Sequence, residues 1–196
     1  MSRFRVSEIY RSIQGEGKHT GSPCTIVRLQ GCNLRCSFCD TPHALDAMGG
    51  KEYTIEQLMD EVQQIHIRGN IILLTGGEPA MQDLTALLAL SCLGPLHIET
   101  NGTLPIPSGF SWVVISPKDQ PVIKEAMKRA NEIKWLVGEM LDVDELKEFL
   151  ARWQYIGAVS VQPLSLSETA TKTAYNAVLA NGWNLSLQTH KLIGVQ

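Results

Sequence analysis

The stretch GCNLRCSFCDT, residues 31–41, decides how the rest of this chain is read. It places Cys32, Cys36 and Cys39 in C-x3-C-x2-C spacing, and no fourth cysteine follows close by. Three thiolates can hold three corners of a cubane 4Fe–4S cluster and leave one iron without a protein ligand. That open iron is what makes a cluster catalytic, because substrate or cofactor can coordinate it. Structural zinc is the competing reading, but it usually takes two C-x2-C pairs and four closed ligands. This sequence has no second pair.

The composition around the motif is that of a globular enzyme-sized chain. With 196 residues and 21.6 kDa, residues 1–196 read as a single domain with room for a substantial core. Seventeen Lys and Arg against 20 Asp and Glu give a formal charge of −3 with no basic run, so no nucleic-acid partner is expected. No stretch approaches the roughly 18 apolar residues of a membrane span, and MSRFRVSEIY lacks the apolar core of a signal peptide. The expectation is a cytoplasmic protein with no membrane partner. A reducing compartment also suits thiolate ligands. Cys24 and Cys92 stand alone in apolar surroundings and are expected to be packed core thiols.

Moving outward along the chain, short apolar runs alternate with amphipathic ones. Runs at 24–30, 70–75, 96–99, 112–116, 133–137, 157–162 and 184–188 read as strands. Their continuous hydrophobicity suits parallel strands covered on both faces. Helical periodicity marks 54–66, where Ile55, Leu58, Met59, Val62 and Ile65 share a face and Thr54 with Gln57 forms a capping-box signature. It recurs at 142–153, and more weakly at 82–93 and 167–181. Alternating βα units predict an α/β fold with a parallel sheet, and six or so units are too few to close an eight-stranded barrel. The reading is a partial, open (βα)6-like TIM barrel with a contracted core. In such folds the site lies where the strands run into their following loops. GCNLRCSFCDT, TGGEP (75–79), ETNGT (99–103), SPK (116–118) and QPLS (162–165) all fall at such places.

The cysteine spacing and its neighbours resemble the radical S-adenosylmethionine (SAM) superfamily. In that setting the glycines of TGGEP would let backbone approach the cofactor, and Glu78 would accept from the SAM ammonium. Adding SIQGEGKHTGSP (12–23) and QTHKLIG (188–194) makes the resemblance narrower. Together these motifs resemble 7-carboxy-7-deazaguanine synthases of the 7-deazapurine (queuosine) pathway, from about residue 8 onward. That family converts 6-carboxy-5,6,7,8-tetrahydropterin to 7-carboxy-7-deazaguanine with loss of ammonia, using a 4Fe–4S cluster, SAM and Mg²⁺. It is a lyase family of homodimers, reduced by an electron donor such as flavodoxin or ferredoxin.

The resemblance implies that Cys32, Cys36 and Cys39 ligate the cluster. Phe38, Cys39, Asp40, Gly77, Glu78, Ser116, Pro117, Lys118, Gln162, Pro163, Leu164 and Ser165 are then expected at the SAM site. Ile13, Gln14, Gly15, Glu16, Arg28, Thr75, His190 and Gln196 are expected to contact the pterin, with Arg28 suited to a bidentate carboxylate pair. Thr41 is expected to be the protein ligand of Mg²⁺, which keeps several waters and takes other oxygens from substrate. Family members often end in proline where this chain has Gln196. The rival reading within the superfamily is an activating enzyme for a glycyl-radical partner, which has no use for SIQGEG or QTHKLIG. Outside it, the rival is a non-enzymatic iron–sulfur or zinc module.

Overall fold

Leucine-rich and β-branched runs become the strands of one twisted sheet, and amphipathic segments cover it. The computed structural model describes residues 2–138 and 143–195. In chain order the strands and α-helices are β1 (Arg3–Ile13), β2 (Pro23–Leu29), β3 (Lys51–Thr54), α1 (Ile55–Ile65), β4 (Ile71–Gly76), α2 (Leu84–Leu87) and β5 (Leu96–Thr100). Then follow β6 (Trp112–Ile115), α3 (Lys124–Met127), β7 (Glu132–Val137), α4 (Val143–Trp153), β8 (Ala158–Pro163), α5 (Glu168–Asn181), β9 (Asn184–Leu185) and α6 (Thr189–Leu192). The sheet order is β3-β1-β2-β4-β5-β6-β7-β8-β9. From β2 to β9 neighbouring strands are parallel, and the sheet is open.

Two strands escape a search for continuous apolar runs. β1 is antiparallel to β2 and to β3, and inward Phe4 and Val6 alternate with outward Arg3 and Arg5. Alternation is the signature of a strand whose two faces differ. α1 lies over this region, with Leu58 and Val62 buried in the main core beside Phe4 and Tyr53. Thr54 and Gln57 form the reciprocal cap at its start. A second core gathers Val137, Leu146, Val159, Val161 and Ala174 beneath α4 and α5. Alanines at 170, 174 and 177 let α5 approach the sheet closely.

Some expected elements are shorter. The span 82–93 breaks into α2 and a 3-10 stretch, Leu88–Cys92, which turns Cys92 out to solvent rather than into the core. Cys24 is buried as expected. Of 184–188 only two residues pair as β9, since Gln188 adopts a left-handed backbone. Residue 142 of the expected helix 142–153 lies outside the described residues.

The consequence for the site is a matter of direction. The loops after the parallel strands all leave from one end of the sheet. Because β1 runs against β2, the connecting residues 14–22 lie at the opposite end. There Gly17 N donates to Ser186 Oγ at 2.9 Å and Lys18 N to Glu132 Oε1, on the first residue of β7, at 3.0 Å.

Candidate active site

A cavity of about 480 Å³ lies between these two ends. The cluster loop forms one wall, with Cys32, Cys36, Phe38, Cys39, Asp40 and Thr41 all lining it. Its shape is set by backbone bonds from Gly31 N to Ala44 O (2.9 Å) and Cys32 N to Leu45 O (3.2 Å). Gln30, buried, donates its amide to the carbonyls of His43 and Asp46. The TGG turn fits against this loop without room for side chains. A Cβ on Gly76 would stand 2.0 Å from Leu29 O, and one on Gly77 would stand 2.3 Å from Gly31 O.

Burial holds the thiols of Cys32 and Cys36 above their ordinary pKa. Among the described residues, no three His, Cys, Asp or Glu side chains converge as a single metal ion would require. A zinc ion needs ligands within about 2.3 Å of one point. A cubane presents separate irons to separate thiolates, so three cysteines on one cavity wall fit a cluster rather than a lone ion.

The opposite end supplies the floor. Gln14, Gly15 and Glu16 line the cavity, and beneath them runs a buried charge network. Lys134 on β7 donates to Glu16 and, at 2.6 Å, to Glu99 on β5; Gln14 Nε2 donates to the other oxygen of Glu99 at 2.8 Å. Burial by itself would raise the pKa of Glu16, but Lys134 outweighs it and takes the carboxyl down to about 2. Lys134 in turn is held above its ordinary value by the two carboxylates, against the effect of its own burial.

The side walls carry polar groups already oriented. Arg28 Nε pairs with Glu8 at 2.6 Å and Nη2 donates to Tyr10 Oη at 2.9 Å, which fixes the guanidinium plane at the cavity. Lys118 donates to Ser116 Oγ at 2.6 Å and stands 6.0 Å from the Phe38 ring; burial pulls its pKa down to about 8. Gln162 Oε1 accepts from Ser186 Oγ at 2.6 Å. α6 closes the rim, where Thr189 N donates to Gly15 O at 2.8 Å and His190 packs on Gly15.

Most expected site residues thus meet at one cavity, including Ile13, Thr75, Pro163, Leu164 and Ser165. Three do not. Gln196 lies outside the described residues. Pro117 does not line the cavity. Glu78 is fully buried away from it. The Glu78 carboxylate accepts from Thr100 Oγ1 (2.6 Å), Asn101 N (2.7 Å) and Ala80 N (2.9 Å), all within the protein. Its role is to brace: Asn101 goes on to donate to Asn33 Oδ1 in the cluster loop at 3.0 Å. Among the lining residues not named as site residues from sequence are Tyr10, Glu99, Lys134 and Gln188. A visible signal existed for one of them, since a lysine inside the apolar run IKWLV must find a partner if the strand is buried.

Residues 26–156 match the Radical SAM superfamily. A 7-carboxy-7-deazaguanine synthase of Bacteroides thetaiotaomicron is 39% identical, over 98% of this chain and 98% of its own length. The enzyme of that name from Escherichia coli (strain K12) is 31% identical over 98% and 99%. The crystal structure of QueE from Escherichia coli superposes with a TM-score of 0.81 at 30% identity, covering 94% of this chain and 93% of that one. With three thiols on one wall, a floor loop entering from the opposite end and relatives matched over nearly their full length, the chain belongs to the radical SAM superfamily and, within it, to the 7-carboxy-7-deazaguanine synthases.

Proposed function

We propose that this chain converts 6-carboxy-5,6,7,8-tetrahydropterin to 7-carboxy-7-deazaguanine with loss of ammonia. The observation that carries the reading is the cavity itself, which sets the floor Gln14–Glu16 and the rim residue His190 around the cluster wall. Cys32, Cys36 and Cys39 would hold a 4Fe–4S cluster. With SAM bound, that group supplies a 5′-deoxyadenosyl radical able to abstract hydrogen from a C–H bond.

The chain's own residues do the positioning. Arg28, fixed by Glu8 and Tyr10, is suited to the substrate carboxylate. Glu16 and Glu99 present carboxylate oxygens to the N–H groups of a pterin edge; Lys134 bonds to both and keeps Glu16 ionised. Gly15, with no side chain of its own, lets the His190 ring pack directly on the floor backbone at the edge of the pocket. Phe38, Ser116, Lys118 and Gln162 to Leu164 form the wall suited to SAM. His190 and α6 exclude water from above, which protects a radical and strengthens every polar contact inside.

Thr41 is the candidate for Mg²⁺; its hydroxyl lies at the cavity, 3.5 Å from Asp40 Oδ1. Mg²⁺ is content with few protein oxygens when substrate supplies others. Identical Mg²⁺ titrations of turnover for wild type and Thr41→Ala would remove it from that role. We also assign to this chain a homodimeric state, a flavodoxin- or ferredoxin-like reductant and a cytoplasmic location; among the described residues no helix is long and apolar enough to cross a membrane.

The deciding experiment is anaerobic reconstitution with iron and sulfide, followed by assay with SAM, a reductant and the carboxytetrahydropterin. Formation of 7-carboxy-7-deazaguanine is expected. Iron loading and 5′-deoxyadenosine release without that product would overturn the reading and favour an activating enzyme. Such an enzyme needs a mouth open to a partner's loop, whereas here α6 bonds to Gly15 of the floor and to Asp40 of the cluster loop.

A further inference from the structure

Gln188 joins three parts of the molecule that lie far apart in sequence. Its backbone is left-handed, with φ 50° and ψ 58°, a conformation that disfavours any residue bearing a Cβ. Such strain persists only where the surroundings over-determine it. Here the buried side chain accounts for it, because every polar atom of its amide is engaged. Nε2 donates to Glu16 Oε1 at 2.7 Å and to Asp40 Oδ2 at 3.2 Å, while Oε1 accepts from Lys191 Nζ at 3.1 Å. Lys191 Nζ closes the ring by donating to the same Asp40 oxygen at 2.6 Å.

The three partners belong to different functional parts. Glu16 is on the floor, tied to Lys134. Asp40 sits in the cluster loop between Cys39 and Thr41. Lys191 belongs to α6, beside His190 and fastened to Gly15 through Thr189. We propose that Gln188 and Lys191 form a clasp that registers the substrate pocket against the cluster loop. Both are positioning residues. The Gln188 amide is engaged at every polar atom and the Lys191 ammonium is turned onto Asp40 and Gln188, so they act on the chemistry through Asp40, which in turn sets the loop bearing Cys39 and Thr41.

The reasoning rests on the proposed pterin reaction in one respect: the pocket bounded by Glu16 and His190 is taken as the pterin's. A ligand there steadies the floor and α6, and the clasp passes that order to Asp40. By linkage the reverse holds, so a correctly set cluster loop favours the closed pocket. A radical then forms next to a substrate already in place, and little is wasted on solvent.

Two measurements test this. Hydrogen exchange on the cluster-free protein, needing no activity, follows peptides covering 37–46 and 189–195 in wild type, Lys191→Met, Lys191→Arg and Gln188→Gly. Lys191→Met and Gln188→Gly are expected to speed exchange in both segments, by about tenfold, with Lys191→Arg close to wild type. Faster exchange confined to 189–195 would overturn the clasp and leave a local staple. The second measurement is the ratio of 5′-deoxyadenosine to 7-carboxy-7-deazaguanine formed by the reconstituted enzyme. It is expected to rise several-fold in Lys191→Met and Gln188→Gly and to recover in Lys191→Arg. Glycine relieves the left-handed strain, so a purely structural role for Gln188 predicts an unharmed or better enzyme, and an unchanged ratio would sink the proposal. If wild type makes no deazapurine, it is the functional reading that has failed, and the exchange result decides the clasp alone.

Discussion

A Cβ placed on Gly15 would stand 1.7 Å from Nδ1 of His190, so one methyl group decides whether the rim can close. Gly15→Ala is expected to displace His190 and lower turnover of the pterin at least about tenfold, because small misplacements of a positioning group carry large rate penalties. SAM affinity, measured by calorimetry, should stay near wild type. The cysteines divide as sharply. Cys32→Ala, Cys36→Ala and Cys39→Ala should each lose iron content and 5′-deoxyadenosine formation after anaerobic reconstitution. Cys24→Ala should keep both, since that thiol packs under the sheet with its pKa driven by burial to about 12. His97 offers a pH test. Burial, and then the neighbouring His19, lower its pKa from 6.5 to about 4, so the folded protein holds it neutral. Its contribution to stability is complete above pH 6.5 and is lost as pH falls toward 4, a change of about 3 kcal/mol at most. Urea unfolding of the cluster-free protein at pH 7 and pH 4.5 should show a smaller drop in His97→Phe than in wild type. At this scale the sequence spoke clearly wherever chemistry is packed into contiguous residues, as in 32–41. It was silent about Gln188, whose meaning depends on a backbone angle. It named Glu78 for the cavity without showing that the carboxylate is buried against Thr100, Asn101 and Ala80, because a motif does not say which way a side chain points.

Elements repeat the lesson with different causes. The floor loop after β1 is held from below by Glu132, whose buried carboxylate accepts from Lys18 N, Trp112 Nε1 (3.0 Å) and Ser160 Oγ. Glu132→Ala would leave those donors without a partner in a dry place. The expected cost is about 3 kcal/mol in urea unfolding. A raised KM for the pterin should accompany it, since Glu16 lies two residues before Lys18; an unchanged KM would separate the floor from its support. The parallel strands were legible because both of their faces are covered, which turns burial into unbroken apolar runs. β1 was missed for the opposite reason: its alternating RFRVSEIYRS carries one buried and one wetter face. The segment 82–93 has a helical pattern yet is divided by a switch to 3-10 geometry after Leu87, a tertiary effect no local pattern records.

Seen as a whole, the molecule is an open half-barrel whose two sheet edges are short, a charged four-residue β3 with Lys51 and Glu52 and a two-residue β9. Short or charged edges discourage pairing with other chains. Openness also means that the cavity has no continuous wall of strands and must be finished by segments that are not sheet at all. The floor comes from residues 14–19, the cluster wall from 31–41, and the rim from α6, which follows the nine strands of the described residues in chain order. During synthesis, therefore, the thiols are made well over a hundred residues ahead of the helix that covers them. Until Lys191 reaches Asp40, the cluster loop lacks the fastening that joins it to the floor through Gln188. The cup is thus completed by its last element, and because the three thiols stay partly exposed in the finished molecule, closing it leaves them within reach of iron and sulfide.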